Sequence, residues 1–503
     1  MARTTGSDDL YRLIHSLTLV EKSYFKKFAA RHSKKGSKYL ELFDAINHQR
    51  EFEEALLKKN FQAYAAMKVY LFDIIMQSLL VFANDFEKQE ELMRQMIYGK
   101  ILQRKGLFSK SLQLLERGLE AAREGELFGL EEEFLRLRVN SAQFSWKADK
   151  IKQKRLEYFA DLEGAREKQV NRDRFMKERM KIYLIKKSQE YANKSMGISE
   201  NEVDLAFLKD EHAALSAGNE RLRLYTLYDY YMTHEDFENA YAISLQVMQS
   251  EKKLTGAHNP NATVSSFMYA LKLRINSCFD TGRISEVGGL LDKDWKRLPE
   301  AEREKPENFN FFFYMKALYY WMSGKHKEGE RFFEGNIDRL MTPEYFEHYA
   351  EHLEVILPIE IVLEFSNGNY RKAILSINEY QRMNIKKSHT KYFKDCELMR
   401  ILIQAEMGNY DVMEPLIRNT LRKARQLGLS GLELKFLGVL KKLTNYNTHP
   451  IFNELFELFR KSEEKVDILW IFYLRDWIES KKSKTPLAEI LRSRAEGGRK
   501  ISK

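Results

Sequence analysis

The sequence predicts an all-α chain in which helix–turn–helix units stack behind a helical N-terminal cap. Three observations lead there. Helix breakers are scarce, with 8 prolines and 24 glycines in 503 residues, while Leu, Lys, Glu and Ala, all good helix formers, abound. No sustained alternation of β-branched residues asks for a sheet. And one short turn recurs along the chain. At this length a single ordinary core is ruled out, whereas an array grows by adding units.

The turn is clearest in the stretch Ser366 to Tyr380, SNGNYRKAILSINEY, where Gly368-Asn369-Tyr370 is followed by Ala373 and Ile377. The same order appears in Gly106-Leu107-Phe108 with Ser111 and Leu115, and in Gly282-Arg283-Ile284 with Val287 and Leu291. It returns in Gly324-Lys325-His326 with Gly329 and Phe333, and in Gly408-Asn409-Tyr410 with Met413 and Ile417. Glu235-Asp236-Phe237 with Ala240 keeps the pattern without the glycine. The anchors from Phe237 to Tyr410 lie 40 to 47 residues apart. Two degenerate copies are therefore expected between Phe108 and Phe237, near Ile151 and near Met196.

Each position has a physical task. Glycine accepts the left-handed conformation that ends a helix. An Asn or Asp after it is expected to cap the next helix. The aromatic closes the corner, the small residue one turn later admits a neighbouring helix, and the apolar residue continues the buried stripe. Three residues before the turn, Phe279, Trp321, Phe365, Ala405 and Met232 supply the last core side chain of the first helix.

The pattern G-[ND]-Y-x-x-A-x-x-x-apolar resembles the turn and second helix of tetratricopeptide (TPR) repeats, over roughly Glu91 to Trp477. The period here exceeds the family's ~34 residues, and Pro415 inside a second helix departs from it. The resemblance implies a TPR-like α-solenoid whose first helices line a concave groove, with Lys and Asn side chains available to a bound peptide. Counting back six residues from the turn places Lys100, Asp229 and Asn276 on that groove, and Lys272 one turn before Asn276. The same position holds Leu318, Val362 and Leu402 in later copies, so the groove is expected to become apolar toward the C-terminus, unless the register is off by one residue.

Residues 1–90 lack the turn. Thr18-Leu19-Val20-Glu21 forms a potential capping box ahead of Tyr24, Phe25 and Phe28. A second helix is expected over Tyr39 to Ile46, and a third, strongly apolar, over Tyr64 to Phe82. This is a cap sealing the first edge of the array, or, because Lys22, Lys26, Lys27, Arg31, Lys34, Lys35 and Lys38 cluster there, a small DNA-binding domain. Residues 91–480 are the repeat array. Residues 481–503 carry eight basic and two acidic side chains and read as a flexible basic tail. Most of the net charge of +10 sits in that tail, so a basic pI says little about the body.

Cys278 and Cys396 are far apart and in no ligand-like spacing, which suits a reducing compartment. Asp8 and Asp9 stand where a signal peptide needs an apolar core. The greasy stretches Leu71 to Ala83 and Phe309 to Met322 are short of the ~20 apolar residues of a span. A cytoplasmic location without membrane insertion is expected.

Catalytic signatures are thin. His348-Tyr349-Ala350-Glu351-His352 matches the H-x-x-E-H pattern of inverted zinc proteases, with Glu433 as a distant third ligand. A helical repeat lacks the α/β core such enzymes use, and an exposed polar face explains these residues more simply. No phosphate loop, nucleophile elbow or dinucleotide fingerprint occurs. The run Arg166 to Lys187 has nine basic and three acidic residues, with Arg172, Arg179 and Lys186 spaced to share one helix face. It is a solvated face of a long helix, or a surface that meets phosphates or an acidic peptide. The sequence thus reads as a non-enzymatic scaffold without cofactor that binds protein or peptide, with a nucleic-acid-associated regulator as the second reading; it leaves the oligomeric state open.

Overall fold

The computed structural model describes residues 8–32, 38–49, 51–82, 88–190, 200–254, 260–346, 353–382, 390–443, 448–462, 467–468 and 472–496. Among the described residues the chain is all-α apart from one two-residue bridge, in which Asp467–Ile468 pairs antiparallel with Phe472–Tyr473. It forms two compact units, Met1–Val170 and Asn171–Lys503. The divide falls inside the long helix Ala148–Glu190, whereas the absence of the recurring turn from residues 1–90 placed a boundary at residue 90.

In the first unit Thr18 and Glu21 make the expected reciprocal cap: the Thr18 amide donates to Glu21 at 2.7 Å and the Glu21 amide to Thr18 Oγ1 at 3.2 Å. The helix Leu19–His32 follows, and then Lys38–Asn47 and Tyr64–Phe82. Two short helices that the sequence reading lacked, Asp9–Ser16 and Glu54–Asn60, complete the bundle. Its core joins Leu10, Ile14, Phe25, Phe43, Leu71 and Ile75. Tyr64–Phe82 has 19 residues and, by length and composition alone, could cross a membrane, which the shorter count from Leu71 did not show. Leu71 and Ile75 are nevertheless fully buried against the other helices of the bundle. Lys34 and Lys35 lie outside the described residues.

Consecutive helices pack as pairs through both units: Lys88–Arg104 with Phe108–Glu124, Ala217–Thr233 with Phe237–Leu254, Leu353–Ser366 with Tyr370–Arg382, and Thr390–Glu406 with Tyr410–Arg422. The same corner joins them. Gly106, Gly282, Gly324, Gly368 and Gly408 all have φ between 67° and 79°, and the glycine-less copy puts Glu235 at 54°. Each corner carries the two hydrogen bonds of a Schellman turn. Around Gly368, the Asn369 amide donates to the Glu364 carbonyl at 2.8 Å and the Gly368 amide to Phe365 at 3.1 Å. Around Glu235, the Asp236 and Glu235 amides donate to Tyr231 and Met232 at 2.9 and 3.2 Å.

Downstream of each corner the expected core residues are buried. Ser111, Ala240, Val287, Ala373 and Met413 are all inaccessible, and so are Leu115, Ile377 and Ile417. The capping expectation holds only in part. Asp236 accepts from the Asn239 amide at 3.3 Å, but Asn409 makes no cap; its amide nitrogen instead donates back to Gln404 at 3.0 Å.

Two placements need correction. Ile151 lies in the first turns of Ala148–Glu190, just past the break at Trp146, and the corner missed in this region is at Glu126 (φ 50°), between Phe108–Glu124 and Phe128–Ser145. The copy expected near Met196 lies outside the described residues.

The expected flexible tail is also a packed element as far as Glu496. Leu474–Ser483 and Leu487–Glu496 are helices, and Ile490, Leu491 and Ala495 are buried. Trp477 Nε1 and Lys481 Nζ both donate to Glu406, at 2.6 and 2.5 Å, and Arg494 pairs with Asp476. Basic composition concealed an amphipathic helix whose apolar residues are its anchors.

Candidate functional site

A cleft of about 690 Å³ opens in the second unit. Four helices wall it: Ala148–Glu190, Ala217–Thr233, Pro260–Asp280 and Pro306–Met322. The last three each precede a left-handed corner. One stripe of each therefore faces the cavity, because residues four apart on a helix share a face. The stripes are Asp229 with Thr233, Asn276 with Asp280, and Leu318 with Tyr314.

The position six before the turn is thus groove-facing in three successive copies, Asp229, Asn276 and Leu318. In the next two it holds Val362 and Leu402, both inaccessible in the core. Neither of those two lines the cleft, although the apolar Leu318 before them does.

From Ala148–Glu190 come Arg179, Tyr183 and Lys186. Arg179 Nε lies 2.9 Å from Asp229 Oδ2. Burial pushes the Asp229 carboxyl above its usual range, outweighing the opposing pull of Arg179 and the weaker one of Lys186. Asp280, solvent-exposed at the end of its helix, is pushed up to about 6 by the desolvating walls around it. Tyr228 is buried and pushed up to about 12, chiefly by desolvation. Phe279, Met232 and Met315 add apolar surface.

Of the residues singled out from sequence, Arg179, Lys186, Asp229 and Asn276 meet in this cleft. Three do not. Arg172, one heptad before Arg179, is half-buried and is not part of the lining. Lys272 Nζ donates to Asn308 Oδ1 at 3.2 Å and sits over the Phe311 ring. Lys100 is exposed on Lys88–Arg104 in the first unit. Tyr183, Tyr228, Asp280 and Tyr314 were missed. Asp280 was within reach of the same count, one helical turn beyond Asn276.

Outside the cleft, His348 to His352 lie beyond the described residues. Among the described residues no group of three or more His, Cys, Asp and Glu side chains is placed to hold a metal ion. Cys278 and Cys396 are free and buried, and burial pushes both thiols up to about 12, far from the thiolate that a nucleophile requires. A separate acidic group surrounds Leu353–Ser366. Burial, with Glu364 and Glu379 nearby, pushes Glu360 up to about 8. Burial also raises Glu364 to about 7, against a 3.0 Å hydrogen bond from Ser376.

Comparison with protein-family models, with curated proteins and with solved structures finds no match to this chain.

Proposed function

We propose that this protein is a non-enzymatic, TPR-like helical-repeat scaffold that binds a polypeptide segment of a partner in the cleft, acting in the cytoplasm. The observation that carries the reading is the convergence of Asp229, Asn276 and Leu318 on one cavity, since a position repeated across stacked hairpins builds a preformed surface. Polar and apolar side chains both line its walls, as recognition of a segment with both backbone and side-chain groups requires. Free, buried cysteines agree with a reducing compartment.

No observation favours the nucleic-acid reading over this one. Arg179, Lys481 and Arg494, three of the cations it drew on, already face carboxylates, which leaves fewer charges to neutralise phosphates.

A random-peptide library selected on the full chain tests the proposal. Selected peptides are expected to bind the wild type and to lose about tenfold or more in Asn276→Arg, which fills the cleft with a larger side chain. A library that yields no ligand, or ligands indifferent to Asn276→Arg, would overturn it.

A further inference from the structure

Two carboxylates line the cleft, and they are not equivalent. Asp229 is answered by Arg179 at 2.9 Å and lies in the field of Lys186. Asp280 has neither. Among the described residues no lysine or arginine forms an ion pair with it, and desolvation alone acts on its carboxyl. The Asp280 side chain is exposed at the cleft, so a cation entering from solvent can reach it.

Three features around it favour positive charge. Asp280 is the last residue of Pro260–Asp280, and Thr233, the last of Ala217–Thr233, lines the same cavity. Two helix C-termini therefore present the negative ends of their dipoles there. Phe279, Tyr228 and Tyr314 share the lining, and aromatic faces attract a cation electrostatically.

We propose that the cleft receives a lysine or arginine side chain of the bound segment, its cationic head on Asp280 and its aliphatic stem along Phe279, Tyr228 and Tyr314. This rests on the polypeptide-binding reading and narrows it: the partner presents a basic residue, although the cleft also holds Arg179 and Lys186. Arg179 is already paired with Asp229 at 2.9 Å, whereas among the described residues Asp280 forms no ion pair and is left to meet a cation from the partner. Long stems with charged heads suit such a site, since the stem packs on apolar surface while the head meets the carboxylate.

The peptides selected from the random library are the probe. Most sequences sensitive to Asn276→Arg are expected to contain a lysine or arginine whose replacement by norleucine, uncharged and of similar length, weakens binding about tenfold. Asp280→Asn, an exposed and nearly isosteric change, is expected to weaken the parent peptide by the same factor and to leave the norleucine peptide unaffected. Cleft-dependent peptides without a basic residue, or an Asp280→Asn variant that binds parent peptides as the wild type does, would overturn this inference and leave the scaffold reading intact. A library with no cleft-dependent ligand overturns both.

Discussion

Arg179 and Asp229 close a 2.9 Å ion pair between Ala148–Glu190 and Ala217–Thr233, fifty residues apart in the chain. Each side chain keeps about a third of its surface in water, so the pair is screened but not free. Arg179→Met should cost about 1–2 kcal/mol, mostly by leaving Asp229 desolvated and unpaired. Asp229→Asn added to it should recover part of that loss. Urea denaturation of the four chains of this double-mutant cycle reads the coupling; strict additivity would mean that the two charges do not act as a pair.

Gly324 and Gly368 have the same left-handed backbone but different surroundings. A Cβ on Gly368 meets open space, whereas one on Gly324 collides with the Ala488 carbonyl of the C-terminal helix. Gly368→Ala should cost about 1 kcal/mol. Gly324→Ala should cost about 2–4 kcal/mol, adding overpacking to the conformational term, and should raise hydrogen exchange across Leu487–Glu496. Equal costs at the two glycines would show that the C-terminal helix does not rest on this corner.

Tyr370 stands edge-on to Phe365 at 5.9 Å, and its hydroxyl reaches Glu406 at 3.4 Å. Because the ring is only half-buried, Tyr370→Ala should cost about 2–3 kcal/mol, below the range for full aromatic truncation. The damage should stay regional, since each hairpin packs mainly on its neighbours. Faster exchange is expected in Tyr370–Arg382 and Thr390–Glu406, with the N-terminal bundle unchanged. Loss of protection along the whole chain would contradict this.

Glu360 and Glu364 tie stability to pH. Their folded values, about 8 and about 7, lie above the ordinary 4.5. Between those limits the folded chain holds protons that the unfolded chain has released. Their contribution is therefore complete below pH 4.5 and is lost as pH rises toward 8. Glu360→Gln should raise the thermal midpoint at pH 8 and leave it nearly unchanged at pH 5. A variant equally stabilised at both pH values would rule out titration as the cause.

His326 works in the opposite sense. It takes the aromatic position of its corner, stacks on Trp321 at 4.8 Å, and shares a 3.2 Å hydrogen bond with the Trp321 carbonyl. Burial is the main cause that lowers it to about 4. Its contribution is present above about 6.5 and lost as pH falls toward 4. His326→Phe should remove this acid sensitivity at the cost of the hydrogen bond, and denaturation midpoints at pH 7 and pH 5 measure it. An unchanged acid slope would place the sensitivity elsewhere.

The corners were legible because they are local. A glycine at C′, an anchor two residues on and a small residue three beyond it specify backbone conformation and helix contact within a dozen residues, so Gly106, Gly282, Gly324, Gly368 and Gly408 could all be read directly. Even Glu235 was found by its neighbours, although its left-handed backbone has no glycine. Glu126 escaped because Leu127 and Phe128 follow it with no small residue at the expected place. Helical periodicity also carries part of the site: the count of six from the turn puts Asp229 and Asn276 on the groove.

What the tertiary structure decided is which faces meet. The basic heptad of Ala148–Glu190 reads alike at Arg172, Arg179 and Lys186, yet only the last two reach the cleft, because Ala217–Thr233 and Pro260–Asp280 pack beside that part of the helix. The C-terminal stretch looked like solvated charge until Glu406, Asp476 and the turn at Gly324 gave its residues partners. Helix type and turn geometry depend on neighbours along the chain. Pairing of distant charges, burial of Glu360 and the lack of an ion-pair partner for Asp280 among the described residues depend on neighbours in space, and no local pattern encodes those.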